Sequence, residues 1–97
     1  MEQKRFKVLF SPSAQKEIEK LEINKALQLA TDIKTYLEAS PFPFGKNRIR
    51  KLTNFDPPLY RLRSGDFRIY YRIHSKEVII LAVVHKKDSE TFLKKIR

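Results

Sequence analysis

The run Leu59-Tyr60-Arg61-Leu62-Arg63-Ser64-Gly65-Asp66-Phe67-Arg68-Ile69-Tyr70-Tyr71-Arg72-Ile73 organises the chain. Its two halves alternate, and alternation in a pleated strand sends neighbouring side chains to opposite faces. With Ser64-Gly65-Asp66 as the turn, Tyr60 and Leu62 share a face with Phe67, Ile69, Tyr71 and Ile73. Arg61, Arg63, Arg68, Tyr70 and Arg72 fall on the other. Gly65 supplies the positive φ that a tight hairpin connection demands. The expectation is a hairpin with one packing face and one row of arginines.

Working outward toward the N-terminus, Phe6, Val8 and Phe10 alternate with Arg5 and Lys7, which predicts a first strand over residues 5–10. Ser11-Pro12-Ser13 carries helix-start chemistry, because serine oxygens accept unpaired N–H groups and proline is tolerated in a first turn. The helix that follows runs to about Leu21 with Ala14, Ile18 and Leu21 inward and Glu17 among the outward residues. After a tight connection, Ile23, Leu27, Ala30, Ile33 and Leu37 repeat at helical spacing and predict a second helix to about Glu38. Ser40-Pro41-Phe42-Pro43-Phe44-Gly45 ends it, since a residue before proline is driven out of α geometry. From there to Pro58 the chain reads as a basic loop anchored by Ile49 and Leu52.

On the C-terminal side, His74-Ser75-Lys76-Glu77 turns the chain into Val78-Ile79-Ile80-Leu81-Ala82-Val83-Val84. That run is apolar on both faces, so it predicts an interior strand at the centre of the sheet. His85 leaves its end, and Phe92, Leu93 and Ile96 share one face of a short helical tail. The fold class is therefore α+β: an N-terminal strand, a two-helix hairpin and a three-stranded antiparallel meander, one sheet with helices on one face. Residues 1–97 read as a single domain, since so short a chain supports one core.

The formal charge is +10 on 97 residues, and it is unevenly placed. Between Lys46 and Lys76 stand nine cations (Lys46, Arg48, Arg50, Lys51, Arg61, Arg63, Arg68, Arg72, Lys76) and two acids, Asp56 and Asp66. Cations interleaved with Tyr60, Phe67, Tyr70 and Tyr71 suit a groove that follows a phosphate backbone. The plainer alternative is a charged surface that merely keeps a small protein soluble. With no cysteine, disulfides, thiolate catalysis and cysteine-ligated zinc are excluded, in keeping with a reducing compartment. No secretory leader follows Met1, and no run approaches the roughly 18 apolar residues of a membrane span, so a cytoplasmic protein without membrane contact is expected.

Phosphate-cradling loops, dinucleotide fingerprints, His-Glu-x-x-His helices and acidic metal clusters are all missing from the sequence, so neither a cofactor nor a metal is expected. Arginines on a sheet face together with His85 suit metal-free RNA cleavage. The ribose 2′-oxygen attacks its own phosphate, guanidinium groups neutralise the charge that develops, and a base takes the proton. His85 is the candidate base, with a solvated strand-end histidine as the plain alternative. His74 reads as a turn residue.

The order strand, helix pair, basic loop, the Tyr60-Arg61-Leu62-Arg63-Ser64-Gly65-Asp66-Phe67-Arg68 run and the later Val83-Val84-His85-Lys86-Lys87-Asp88 resembles the RelE/ParE toxin superfamily. The resemblance implies a prokaryotic type II toxin held in a hetero-oligomer with a cognate antitoxin. Its RelE branch cuts mRNA in the ribosomal A site, whereas its ParE branch poisons DNA gyrase, and the shared fold does not choose between them. On the RelE pattern the catalytic positions match Arg61, Arg68, His85 and Lys87, with Lys86 as the alternative to Lys87. The RNA-contacting set is then Lys46, Arg48, Arg50, Lys51, Arg63, Tyr70, Arg72 and Lys86. The resemblance favours a ribosome-dependent mRNA endoribonuclease; a gyrase inhibitor or a non-catalytic basic interaction module are the alternatives. One departure stands out: many relatives write the last segment as His-Arg-x-x-x-Tyr, while this chain has no tyrosine after Tyr71 and offers only Phe92. Phenylalanine stacks on a base but moves no proton.

Overall fold

The computed structural model describes residues 5–45 and 48–96. Five strands form one sheet: β1 (Lys7–Phe10), β2 (Ile49–Leu52), β3 (Leu59–Ser64), β4 (Phe67–His74) and β5 (Glu77–His85). Their order is β1-β5-β4-β3-β2, with β1 parallel to β5 and every other pairing antiparallel. The apolar run of β5 is interior as expected, but β4 occupies the middle position.

The hairpin register sorts side chains as the alternation requires. Tyr60 pairs with Tyr71 and Leu62 with Ile69, while Arg61 pairs with Tyr70 and Arg63 with Arg68. Ser64 also pairs with Phe67, so the connection is the two-residue loop Gly65-Asp66 and not the three-residue turn expected. Gly65 takes φ +57° there, a value that costs glycine nothing.

Helix α1 (Pro12–Glu19) starts where Ser11 accepts the Ala14 N–H at 3.1 Å. Helix α2 (Ile23–Asp32) continues into a π-helical segment, Ile33–Glu38. Ala14, Leu29, Ile33 and Leu37 close over Leu62, Ile69, Tyr71, Val78 and Ile80 to form the core. At its far end Tyr60 and Tyr71 stack at 5.6 Å, and Tyr71 donates to the Pro41 carbonyl at 2.7 Å. Burial, followed by the neighbouring Tyr60, raises the Tyr71 hydroxyl above its ordinary pKa, so it remains a donor.

Two expectations give way here. Ile23 and Leu27 are 66% and 57% exposed and Ala30 is exposed too, so the inward face of α2 is carried by Leu29 and Asp32 instead. Two apolar stripes lie side by side on this helix, and a carboxylate on the buried one disguises it. The region read as loop also contains β2, which pairs with β3 through Ile49 opposite Leu62. A four-residue edge strand carrying Arg50 and Lys51 shows little alternation, and charge at a sheet edge discourages pairing with another chain.

The last helix, α3 (Ser89–Ile96), follows a 3₁₀ turn at Lys86–Asp88 and buries none of its own residues. It lies on the face opposite α2, where Phe92 meets Tyr70 at 4.8 Å between ring centroids. The helices are therefore divided between the two sheet faces.

Candidate nucleic-acid interface

The face away from the core gathers Arg50, Arg61, Arg63, Arg68 and Arg72 on three neighbouring strands. Arg50 lies opposite Arg61, Arg63 opposite Arg68, and Arg72 continues the row along β4. None of the five has an ion-pair partner among the described residues; the pairs found there are Arg48–Asp32 and Lys86–Asp66. Arg61 is at the centre. Burial lowers its guanidinium pKa first and Arg50 next; Tyr70 opposes them, and Arg68 and Arg63 add smaller lowering effects. A guanidinium remains charged through such shifts. The Nε atoms of Arg61 and Arg72 are buried without a hydrogen-bond partner among the described residues. Arg68 is held at the hairpin turn, donating Nη1 to the carbonyls of Gly65 (3.0 Å) and Phe67 (2.9 Å).

The remaining expected contact residues lie elsewhere. Tyr70 is on the arginine face but only 1% exposed beneath Phe92, so it supports Arg61 rather than offering a ring to a ligand. Arg48 turns toward the helices, 3.5 Å from Asp32 and over the Tyr36 ring at 5.5 Å. Lys51 pairs with Tyr60 and so projects on the core side of β2. Lys86 is drawn to Asp66 at 3.4 Å, and Lys87 is exposed in the turn after β5. Lys46 lies outside the described residues.

His85 also stands apart. Its register partner is Phe67, whose ring it meets edge-on at 5.6 Å, on the side of the sheet opposite the arginines. Its Nδ1 accepts the Lys87 N–H at 3.1 Å, which leaves that lone pair engaged in capping the turn. A base needs a free lone pair within reach of the proton it takes. In this conformation His85 shapes the turn that carries Lys86 and Lys87.

Sequence reasoning missed two acids that position the site. Glu17, read as outward, accepts the Val83 N–H at 2.8 Å along the part of β5 that extends past its pairing with β1. Asp32, 6% exposed, accepts from Ser64 Oγ at 2.6 Å and from Gln28 at 3.2 Å, tying α2 to the end of β3. The available signal was a Glu or Asp at inward helical spacing, and it is weak because such positions are usually apolar. No group of three or more His, Cys, Asp or Glu side chains able to hold a metal exists among the described residues, and no helix there is long and apolar enough to cross a membrane.

A five-stranded mixed sheet with a helix pair on one side and, on the other, arginines without an ion-pair partner among the described residues defines a small basic α+β protein with one cationic sheet face. The family model for the ParE toxin of type II toxin-antitoxin systems matches residues 8–90, and the chain belongs to that family, within the RelE/ParE superfamily. Solved structures agree with the fold. The archaeal RelE–RelB complex from Pyrococcus horikoshii OT3 is similar at TM-score 0.69 and 25% identity, over 84% of this chain and 94% of that one. The RelBE2 toxin–antitoxin complex from Mycobacterium tuberculosis gives 0.66 and 26%, over 87% and 94%. A doubly substituted Escherichia coli RelE in the free state gives 0.62 and 22%, over 96% and 99%, and shows the fold alone. No curated protein sequence matches the chain significantly.

Proposed function

We propose that this toxin is a ribosome-dependent mRNA endoribonuclease acting in the cytoplasm and silenced by a cognate antitoxin. The observation that carries the reading is the row Arg50, Arg61, Arg63, Arg68 and Arg72, five guanidinium groups on one face with none held in an ion pair among the described residues. A phosphodiester on that face meets planar donors suited to its oxygens. In the reaction the 2′-hydroxyl loses its proton to water as its oxygen bonds to phosphorus, the bond to the 5′-oxygen of the next nucleotide breaks and that oxygen takes a proton from water, and a 2′,3′-cyclic phosphate remains. Arg61 and Arg68 neutralise the pentavalent state, and Arg50 and Arg63 position the strand. Exposed Lys87, set by the His85 cap, is assigned to the same phosphate. The complexes formed by the Pyrococcus and Mycobacterium relatives support an antitoxin partner, and an acidic segment fits this face by charge.

A second reading has its own observation. No free imidazole or phenol lies on the arginine face among the described residues, because Tyr70 is buried and His85 is on the far side. That arrangement favours a binding toxin of the ParE kind, directed at gyrase.

Primer extension on a defined mRNA in a reconstituted translation reaction separates the two. Cuts at A-site codons that need both ribosomes and Arg68 support the nuclease; Arg68→Ala should abolish them with the fold intact. Whole mRNA with stalled gyrase supercoiling would establish the second reading instead.

A further inference from the structure

Strand parity sets Arg48 beside Arg50 at the edge of the sheet, yet the two side chains part. Arg50 stands opposite Arg61 in the arginine row. Arg48 accepts the Arg63 N–H on its backbone carbonyl at 3.1 Å and lays its guanidinium on the helix side, 3.5 Å from Asp32 and 5.5 Å from the centre of the Tyr36 ring. Asp32 closes α2 and Tyr36 lies in the π-helical segment that follows, so one helical run holds this guanidinium at two points.

Strand β2 needs such a hold. It has four residues, lies at the sheet edge and carries Arg50 directly opposite Arg61. Like charges facing each other across two strands destabilise the pairing. Among the charges around Arg61, Arg50 weighs most. Ile49, 5% exposed in the core, opposes the splaying, and the Arg48–Asp32 pair opposes it one residue earlier. An ion pair between two exposed side chains would contribute little. Here the acid is buried, and Ser64 at 2.6 Å and Gln28 at 3.2 Å donate to the same carboxylate oxygen, so the anchor is fixed even though Arg48 itself is exposed.

We infer that Arg48 is a positioning residue and not an RNA contact: with Asp32 it clasps the sheet edge and sets Arg50 in the row that meets the phosphates. The inference rests on the reading that RNA lies on the arginines. Unclasped, Arg50 is driven from Arg61 by like charge; clasped, it adds one phosphate contact to the face. The sign of the Asp32 effect follows. Taking an acid out of a strongly basic protein ordinarily tightens its hold on a polyanion, whereas here it should weaken that hold.

The test is a salt titration of binding to a short fluorescein-labelled single-stranded RNA, followed by anisotropy. On single strands each neutralised phosphate contributes about 0.7 to the steepness of log affinity against log salt. Arg50→Ala should therefore remove about 0.7. Arg48→Met, which keeps an apolar stem over Tyr36, and Asp32→Asn, which keeps an oxygen for Ser64, should each remove the same amount. Adding Arg50→Ala to either should remove nothing more, the mark of two residues acting through one contact. A loss of stability alone leaves the steepness of the folded toxin in place. Arg48 is exposed, so Arg48→Met carries the test if Asp32→Asn does not fold. If Arg48→Met and Arg50→Ala together remove about 1.4, or if Asp32→Asn tightens binding, Arg48 is itself a phosphate contact and the inference is overturned. Unchanged steepness in both clasp variants overturns it too, and a loss confined to Arg50→Ala leaves the RNA reading standing. If Arg50→Ala changes nothing, the RNA reading fails at Arg50 and the inference falls with it.

Discussion

The two faces of one hairpin are built from the same strands and differ in nearly every physical respect. On one side Leu62, Ile69 and Tyr71 are fully buried under helices. On the other, Arg61, Arg63 and Arg68 crowd together without acidic partners among the described residues. The first face lowers the free energy of the folded chain by removing apolar surface from water. The second raises it through like-charge repulsion. Parity along a strand thus separates the packed face from the charged one within a few residues.

The sharpest way to break this contrast is Leu62→Ala. A fully buried leucine on the core face should cost about 2–5 kcal/mol on truncation, read from the denaturant midpoint. Its neighbour Arg61→Ala should leave that midpoint in place while lowering RNA cleavage about 100-fold or more, the scale of losing one charge-stabilising donor. If Arg61→Ala unfolds the protein or Leu62→Ala does not weaken it, the division between faces is wrong.

Ser64 tests the bridge between the faces, because its hydroxyl reaches Asp32 at the end of the strand that carries Arg63. Ser64→Ala leaves a buried carboxylate short of a donor and should cost about 1–3 kcal/mol in the same unfolding measurement. The smallest effect belongs to the outer stripe of α2. Leu27→Gln should change the isolated toxin by less than about 0.5 kcal/mol, since that side chain is already 57% exposed. A larger loss would place Leu27 back in the core.

Much of this was legible in residue order. Alternation around Gly65 set the hairpin faces, and the register confirms them pair by pair. The doubly apolar run of β5 marked an interior strand, and Ser11-Pro12 marked the start of α1. The misses share a cause. β2 is too short and too charged for a period-2 pattern to emerge, and Asp32 made the true inward face of α2 look polar. Tyr70 fell on the face its parity required, but its cover comes from Phe92, 22 positions later.

Local pattern by itself determined every element but β2, the class of fold and the cationic identity of one sheet face, because periodicity and charge are properties of neighbouring residues. Only the tertiary structure decided which cations remain unpaired, which side of the sheet receives His85, and that Arg48 meets Asp32 and Tyr36. Those outcomes depend on strand register and on helices crossing from distant parts of the chain, and no short stretch of sequence contains them.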